Sequence, residues 1–260
     1  MAKRMNTELK IGTAGWSLPK DIRAFAAPGN SILERYASCY NCVEINSCFY
    51  RPHRPATFSR WADSVPDDFS FSLKLSKAIT HQKKLINVED DLASFVEAAS
   101  GLQEKWGCML IQIPPSLDFQ LDIAKDFFRT LRDLYEGKVA FEPRHVSWGT
   151  EPASQLLKIF NIARVVADPL RVFADHSRDP FIYYRWHGSP EMYRSAYTDK
   201  ALDDLAADIK KKKAAGLDVW CIFDNTMFQH ASFDALKLAQ RLVSDERTKR
   251  GLLRAPMNEI

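Results

Sequence analysis

The sequence predicts one TIM (β/α)8 barrel, an α/β fold, on three observations. Apolar, β-branched runs recur eight times. Amphipathic helical stretches fill most of the intervals between them, which implies a parallel sheet. Eight such repeats also suit a chain of 260 residues, the size of a single barrel. A doubly wound sheet is the rival. Its Gly-rich first turn is missing, because GTAGWS is not G-x-G-x-x-G.

Strands are expected at residues 10–16, 43–49, 69–75, 107–113, 139–144, 164–168, 182–187 and 219–225. Ile32, Leu33 and Tyr36 mark the first helical stripe. Leu92, Phe95, Val96 and Ala99 mark the next, at spacings of three and four. Phe127, Phe128, Leu131 and Leu134 repeat the pattern, as do Leu156, Leu157 and Phe160. Leu202, Leu205 and Ile209 follow, with Lys210, Lys211, Lys212 and Lys213 where cations suit the helix dipole and Gly216 as the stop. Phe233, Leu236, Leu238 and Leu242 form the last helix. DPLRVFADHSRDP, from Asp168 to Pro180, is too short and broken for a helix, so an irregular crossover is expected between strands six and seven. No linker, repeat or low-complexity tract interrupts the pattern, and 1–260 reads as one domain.

Composition narrows the class. Hydrophobic residues at 46% and charged residues at 27% are the mix of an ordinary globular protein with a sizeable core. A net charge of +3 neither demands nor excludes nucleic acid, since a local patch matters more than a sum. Lys83-Lys84, the lysines at 210–213 and the basic run at 247–250 are the candidate patches, each also readable as a solvated face. No secretory signal opens the chain and no window is apolar enough to span a membrane. Five cysteines, an odd count, then read as reduced thiols in a cytoplasmic protein. Cys39-x-x-Cys42 lacks a second ligand pair for zinc, and Cys48 is a weak candidate nucleophile.

"VAFEPRHVSW" carries the functional question. It begins as a buried strand and then delivers Glu142, Arg144 and His145 before Trp148. The same happens late in other strands: Glu44 and Asn46, Lys74, Gln112, Asp168, Arg185 and His187, Asp224 and Asn225. Strand C-termini carry the site in such barrels. Side chains two apart share a face, so Glu44 with Asn46, Glu142 with Arg144 and Arg185 with His187 are expected to point inward, and His145 away or into a loop. These charges could neutralise one another for geometry alone. Buried ion pairs stabilise poorly compared with apolar packing, however, so a site that grips and protonates a ligand is the more economical reading.

"VEINSCFYRP", "FSFSLKLSKAITH", "LIQIPPSLDF", "FEPRHVSW", "YYRWHG" followed by Tyr193 and Tyr197, and "CIFDNT" occur in this order. Together they resemble the YecE-like proteins (domain of unknown function 72), from Ile11 to Leu238. The resemblance implies a TIM barrel and no established reaction. It points to Glu44, Asn46, Lys74, His81, Gln112, Glu142, Arg144, Arg185, His187 and Asn225. The last motif usually reads Asn-Asn and here reads Asp224-Asn225, which moves the expected role to Asn225 and leaves Asp224 without one.

The leading expectation is an enzyme, a hydrolase or lyase, acting on a small anionic and phosphate-bearing substrate. Arg144 and Arg185 would fork onto its oxygens and Lys74 would add a point charge. Glu142, His187 and Glu44 would move protons. Asn46, His81, Gln112 and Asn225 would add polar contacts. Trp16, Tyr50, Trp148, Tyr193 and Tyr197 would rim the mouth. No cofactor is expected. Three alternatives stay open. A divalent metal on Glu44, Glu142, Asp168 and His187 would make a nuclease-like phosphodiesterase, although three cations in the same ring oppose it. Glu44 and Glu142 could serve glycoside hydrolysis, or the barrel could bind a ligand without turning it over. Oligomeric state is not readable.

Overall fold

The computed structural model describes residues 7–243, apart from 174 and 178. Eight strands hydrogen-bond in chain order and close on themselves. They are β1 (Leu9–Ala14), β2 (Cys42–Ile45), β3 (Ser70–Lys74), β4 (Trp106–Gln112), β5 (Val139–Glu142), β6 (Ala163–Asp168), β7 (Ile182–Trp186) and β8 (Val219–Phe223). β1 with β8, β3 with β4, β4 with β5, β5 with β6 and β7 with β8 all pair in parallel. Helices stand between most of them: α1 (Lys20–Phe25), α2 (Ile32–Ala37), α3 (Ser47–Tyr50), α4 (Pro55–Asp63), α5 (Glu89–Ala99), α6 (Leu121–Leu134), α7 (Glu151–Ile159), α8 (Asp199–Ala214) and α9 (His230–Leu242). The fold is the TIM barrel the sequence predicts. The described residues between β6 and β7 form no helix, as the broken pattern there requires.

Several strands stop short of the sequence reading, two of them for plain local reasons. β2 ends at Ile45 because α3 begins two residues later. β5 ends at Glu142 because Pro143 has no N–H for the ladder. β8 ends at Phe223. Asn46, Arg144, Asp224 and Asn225 therefore stand just beyond strands, on βα connections. His187 likewise follows the end of β7 at Trp186.

The chain packs as two compact units. One holds the described residues up to Val43, Val65–Ser70 and those from Phe181 onward; the other holds Glu44–Ser64 and Phe71–Pro180. In the first, Tyr36 ties β1 to the start of β2. Its hydroxyl accepts from Thr13 N at 2.9 Å and donates to Cys42 O at 3.0 Å. Gly12 is required there, because a Cβ would lie 2.1 Å from Cys42 O. α2 starts on Ser31, whose side chain accepts from Glu34 N, while Glu34 accepts from Asn30 N. α8 starts on Thr198, with Lys211, Lys212 and Lys213 in its last turn and Gly216 beyond at φ +85.

In the second unit, α6 lays Ala124, Phe127, Phe128 and Leu131 into a core shared with Phe141, Trp148 and Leu156. Phe127, Phe128 and Leu131 belong to the stripe read from sequence, while Leu134, expected with them, is exposed. α4 had no such reading, although Pro55 at its first turn and Phe58 with Ala62 on one face are the local signal.

Candidate functional site

In the second unit the site grows from β4 and β5. Gln112 and Glu142 are register partners, so their side chains share a face, and Gln112 Nε2 donates to Glu142 Oε1 at 3.0 Å. Two residues on, Arg144 turns back and donates from Nε and Nη2 to the same oxygen, at 3.2 and 3.1 Å. Glu142 is 2% exposed while the Arg144 side chain is 19% exposed. One end of the pair is fixed in the core and the other reaches outward.

β3 contributes Lys74, whose Nζ stands 4.3 Å from the centroid of the Phe49 ring. The same ring meets His81 edge-on at 5.1 Å. His81 sits on a π-helical turn (Ala78–Gln82), with Nδ1 2.9 Å from Thr80 Oγ1. Its pKa is lowered, first by burial and then by Lys74, Lys77 and Arg144. Phe49 is the residue sequence reasoning passed over; its signal was its place between Glu44 and Tyr50 at the end of a strand. Glu44 is fully buried in β2. Asn46 precedes α3, and its buried Oδ1 has no hydrogen-bond partner among the described residues. Cys48 is no ready nucleophile: burial pushes its thiol up to about 12.

In the first unit the site grows from β7 and β8. Trp186 and Phe223 are register partners, so the next residues, His187 and Asp224, also come side by side. Asp224 Oδ2 lies 2.9 Å from Arg185 Nη2 and 3.0 Å from His187 Nδ1. Arg185 is 1% exposed and His187 2%. Asp224, which the sequence left without a role, is thus the carboxylate that touches the imidazole. Asn225 is fully buried and donates to Ser195 O at 2.9 Å and to Asp234 Oδ2 at 2.7 Å. It fixes a loop. Asp234 also accepts from Tyr197 N, and burial raises its pKa. Tyr193, at φ +65, sets its ring edge-on to His187 at 5.5 Å.

The expected aromatic rim is corrected in part. Trp148 is 1% exposed, wedged against Phe119 and Phe141, with Nε1 donating to Leu117 O. It is core, because the chain after Arg144 dives into a short 3-10 turn (Val146–Gly149) beneath α6 and α7. Tyr197 is also buried, its ring on Trp186 and its hydroxyl accepting from Gly188 N at 2.8 Å. Trp16 is half-buried and Tyr50 is 76% exposed. His145 lies in the loop, accepting from Ser147 N.

Among the described residues no three His, Cys, Asp or Glu side chains gather as a metal ion needs, so Glu44, Glu142, Asp168 and His187 do not form such a group. All five cysteines are free and buried, Cys39 and Cys42 included. Lys83 pairs with Asp91, Lys213 donates to Thr7 O, and the basic run at 247–250 lies outside the described residues. No described helix is long and apolar enough to cross a membrane. A cavity of about 550 Å³ elsewhere in the second unit, lined by Ser154, Lys158, Arg164 and Phe173 among others, holds none of the expected site residues.

Residues 10–258 match the family described as "Protein of unknown function DUF72". The chain belongs to the DUF72 family. Two proteins named "UPF0759 protein YecE", from Escherichia coli strains K12 and O157:H7, are each 36% identical over 104 residues. That match covers 40% of this chain and 37% of each relative, so the chain spans little more than a third of their length. Among solved structures, a DUF72 protein from Enterococcus faecalis V583 superposes with a TM-score of 0.76 at 19% identity, covering 92% of this chain and 97% of that one. A DUF72 protein from Thermotoga maritima MSB8 gives 0.75 at 24% identity, covering 90% and 99%. These likenesses establish the fold shared with other DUF72 proteins.

Proposed function

We propose that this DUF72 protein is an enzyme that applies acid/base chemistry, hydrolysis or elimination, to an anionic substrate bearing phosphate. The observation that carries the reading is the setting of His81. The pKa of this partly buried imidazole is lowered, first by burial and then by Lys74, Lys77 and Arg144. Cations gathered near one another favour an incoming anion. Arg144 offers the planar fork that matches phosphate oxygens, and Lys74 offers a point charge. Glu142, with Gln112 and Arg144 on Oε1, is the group that exchanges protons in the second unit. His187 is its counterpart in the first. The five free thiols suit a reducing, cytoplasmic setting.

The test is a screen of phosphate monoesters and diesters with the wild type, Glu142→Gln and Arg144→Gln. The reading expects turnover that Glu142→Gln abolishes, and inorganic phosphate as a competitive inhibitor. Arg144→Gln should weaken that inhibition about 10- to 100-fold, the range for losing a charged hydrogen bond. Turnover untouched by either change overturns the assignment, and failure of phosphate to bind overturns the anion site.

A further inference from the structure

We propose that the cavity of about 550 Å³ between α7 and the β6–β7 crossover is a second binding site, for a free α-amino acid with an apolar side chain. Arg164 and Lys158 take its carboxylate, Asp179 takes its ammonium, and Leu157 and Phe173 cover its side chain. This site shares no residue with the phosphate reading and does not depend on it.

The register of β5 and β6 places it outside the barrel. Phe141 and Arg164 are register partners, so their side chains share a face. Phe141 packs against Phe128 and Trp148, on the helix side of the sheet. Arg164 therefore leaves the barrel outward, toward α7. Glu142 stands one residue on from Phe141 and faces the other way.

Arg164 is 2% exposed, yet only part of its guanidinium is used. Nη2 donates to Trp148 O at 3.0 Å and to Ser154 Oγ at 3.1 Å. Nε has no hydrogen-bond partner among the described residues. Nη1 makes no hydrogen bond to a described residue, and Arg164 lines the cavity. Burial lowers its pKa, and nearby Asp179 acts against that shift. A buried cation with an unused donor is stabilised by an acceptor that carries negative charge. Lys158 follows Ser154 by one turn on the same face of α7 and lines the cavity as well. Two cationic donors suit the two oxygens of a carboxylate.

The crossover supplies the facing wall. Asp179 lines it, with Oδ2 2.8 Å from His176 Nδ1, which leaves Oδ1 for another donor. A carboxylate there opposes a plain anion and favours a ligand that also carries a cation, the charge pattern of an amino acid. Leu157 and the exposed Phe173 add apolar surface. Gly149 lets the crossover come close, because a Cβ there would lie 2.7 Å from Phe173 O. The volume is within the range of small-molecule sites, roughly 300–1,000 Å³.

The test is calorimetry on the full chain with leucine and phenylalanine, and with two relatives of leucine. Leucinamide keeps the ammonium without the carboxylate, and isocaproate keeps the carboxylate without the ammonium. At least one of the amino acids should bind, and leucinamide and isocaproate should bind about 10-fold more weakly than leucine, since each loses a charged contact. Lys158→Ala and Phe173→Ala alter exposed side chains and should each weaken amino-acid binding about 2- to 5-fold. Lys158→Ala should leave the affinity for inorganic phosphate unchanged, so the two sites can fail independently. Arg164→Gln should weaken amino-acid binding about 10- to 100-fold. If that variant does not fold, Asp179→Asn, expected to weaken it about 10-fold, decides instead. Three results overturn the proposal: no binding of either amino acid at roughly 10 mM, isocaproate or leucinamide binding as tightly as leucine, or amino-acid binding indifferent to these substitutions.

Discussion

The ends of β3–β5 and the ends of β7–β8 use similar residue types to opposite effect. At β7–β8 Arg185 and His187 share one carboxylate oxygen, and both side chains are almost wholly buried. At β3–β5 the pKa of His81 is lowered, first by burial and then by Lys74, Lys77 and Arg144, and the Arg144 side chain is 19% exposed. A buried, hydrogen-bonded cluster is suited to holding its side chains in one arrangement. A cluster whose arginine is partly exposed is reachable from solvent on that side. The difference teaches that buried charges at strand ends are not one kind of feature: the first set is almost wholly sealed from solvent, while the second keeps an arginine partly exposed.

The largest effect that can break this contrast is on stability. Arg185→Ala leaves Asp224 buried without its main cation and should cost about 3–5 kcal/mol in urea unfolding, as for other broken buried pairs. Trp148→Ala, which opens the core beneath α6 and α7, should cost a similar ~3–5 kcal/mol. Tyr50→Ala at 76% exposure should stay within about 0.5 kcal/mol of wild type. Equal losses at Trp148 and Tyr50 would contradict their different placement.

Charge removal at β3–β5 should act on binding more than on folding. Glu142→Gln keeps an acceptor for Gln112 and Arg144 while deleting a negative charge. It should therefore tighten inorganic phosphate, read by calorimetry, even as it abolishes turnover. Weaker phosphate binding would show that Glu142 holds the ligand by orienting Arg144 rather than by exchanging a proton.

The smallest effect is a pH dependence. His81 has a lowered pKa in the folded protein, so the unfolded chain binds more protons as pH falls. Its contribution to stability is fully present above the unfolded value near 6.5 and is lost as pH drops through that value toward the lower folded one. His81→Gln should flatten that part of the stability profile. A profile unchanged by the substitution would remove His81 from the account.

Much of this was legible in the sequence, and the gaps have physical causes. Period-two and period-3.6 patterns encode burial, so β1–β8 and the long helices could be read. Alternation put Glu142 and Arg144 on one face, although Arg144 reaches Glu142 from beyond the strand end. Asp224 could not be placed that way, because its partners lie on β7 and only the Trp186–Phe223 register brings it beside His187. Trp148 read as rim because an aromatic next to a site looks the same as an aromatic beneath one. Asn225 looked like a ligand contact, since an asparagine that clamps Ser195 and Asp234 has the same chemistry as one that binds substrate.

The influence of Lys74, Lys77 and Arg144 on His81 is the central claim, and one titration addresses it most directly. The His81 imidazole is followed by NMR from pH 8 to pH 4, with and without inorganic phosphate. An anion bound among Lys74, Lys77 and Arg144 must offset their repulsion, so the account predicts a depressed pKa in its absence that rises when phosphate is added and does not rise in Arg144→Gln. A His81 that titrates at the ordinary value, or that ignores phosphate, would contradict it.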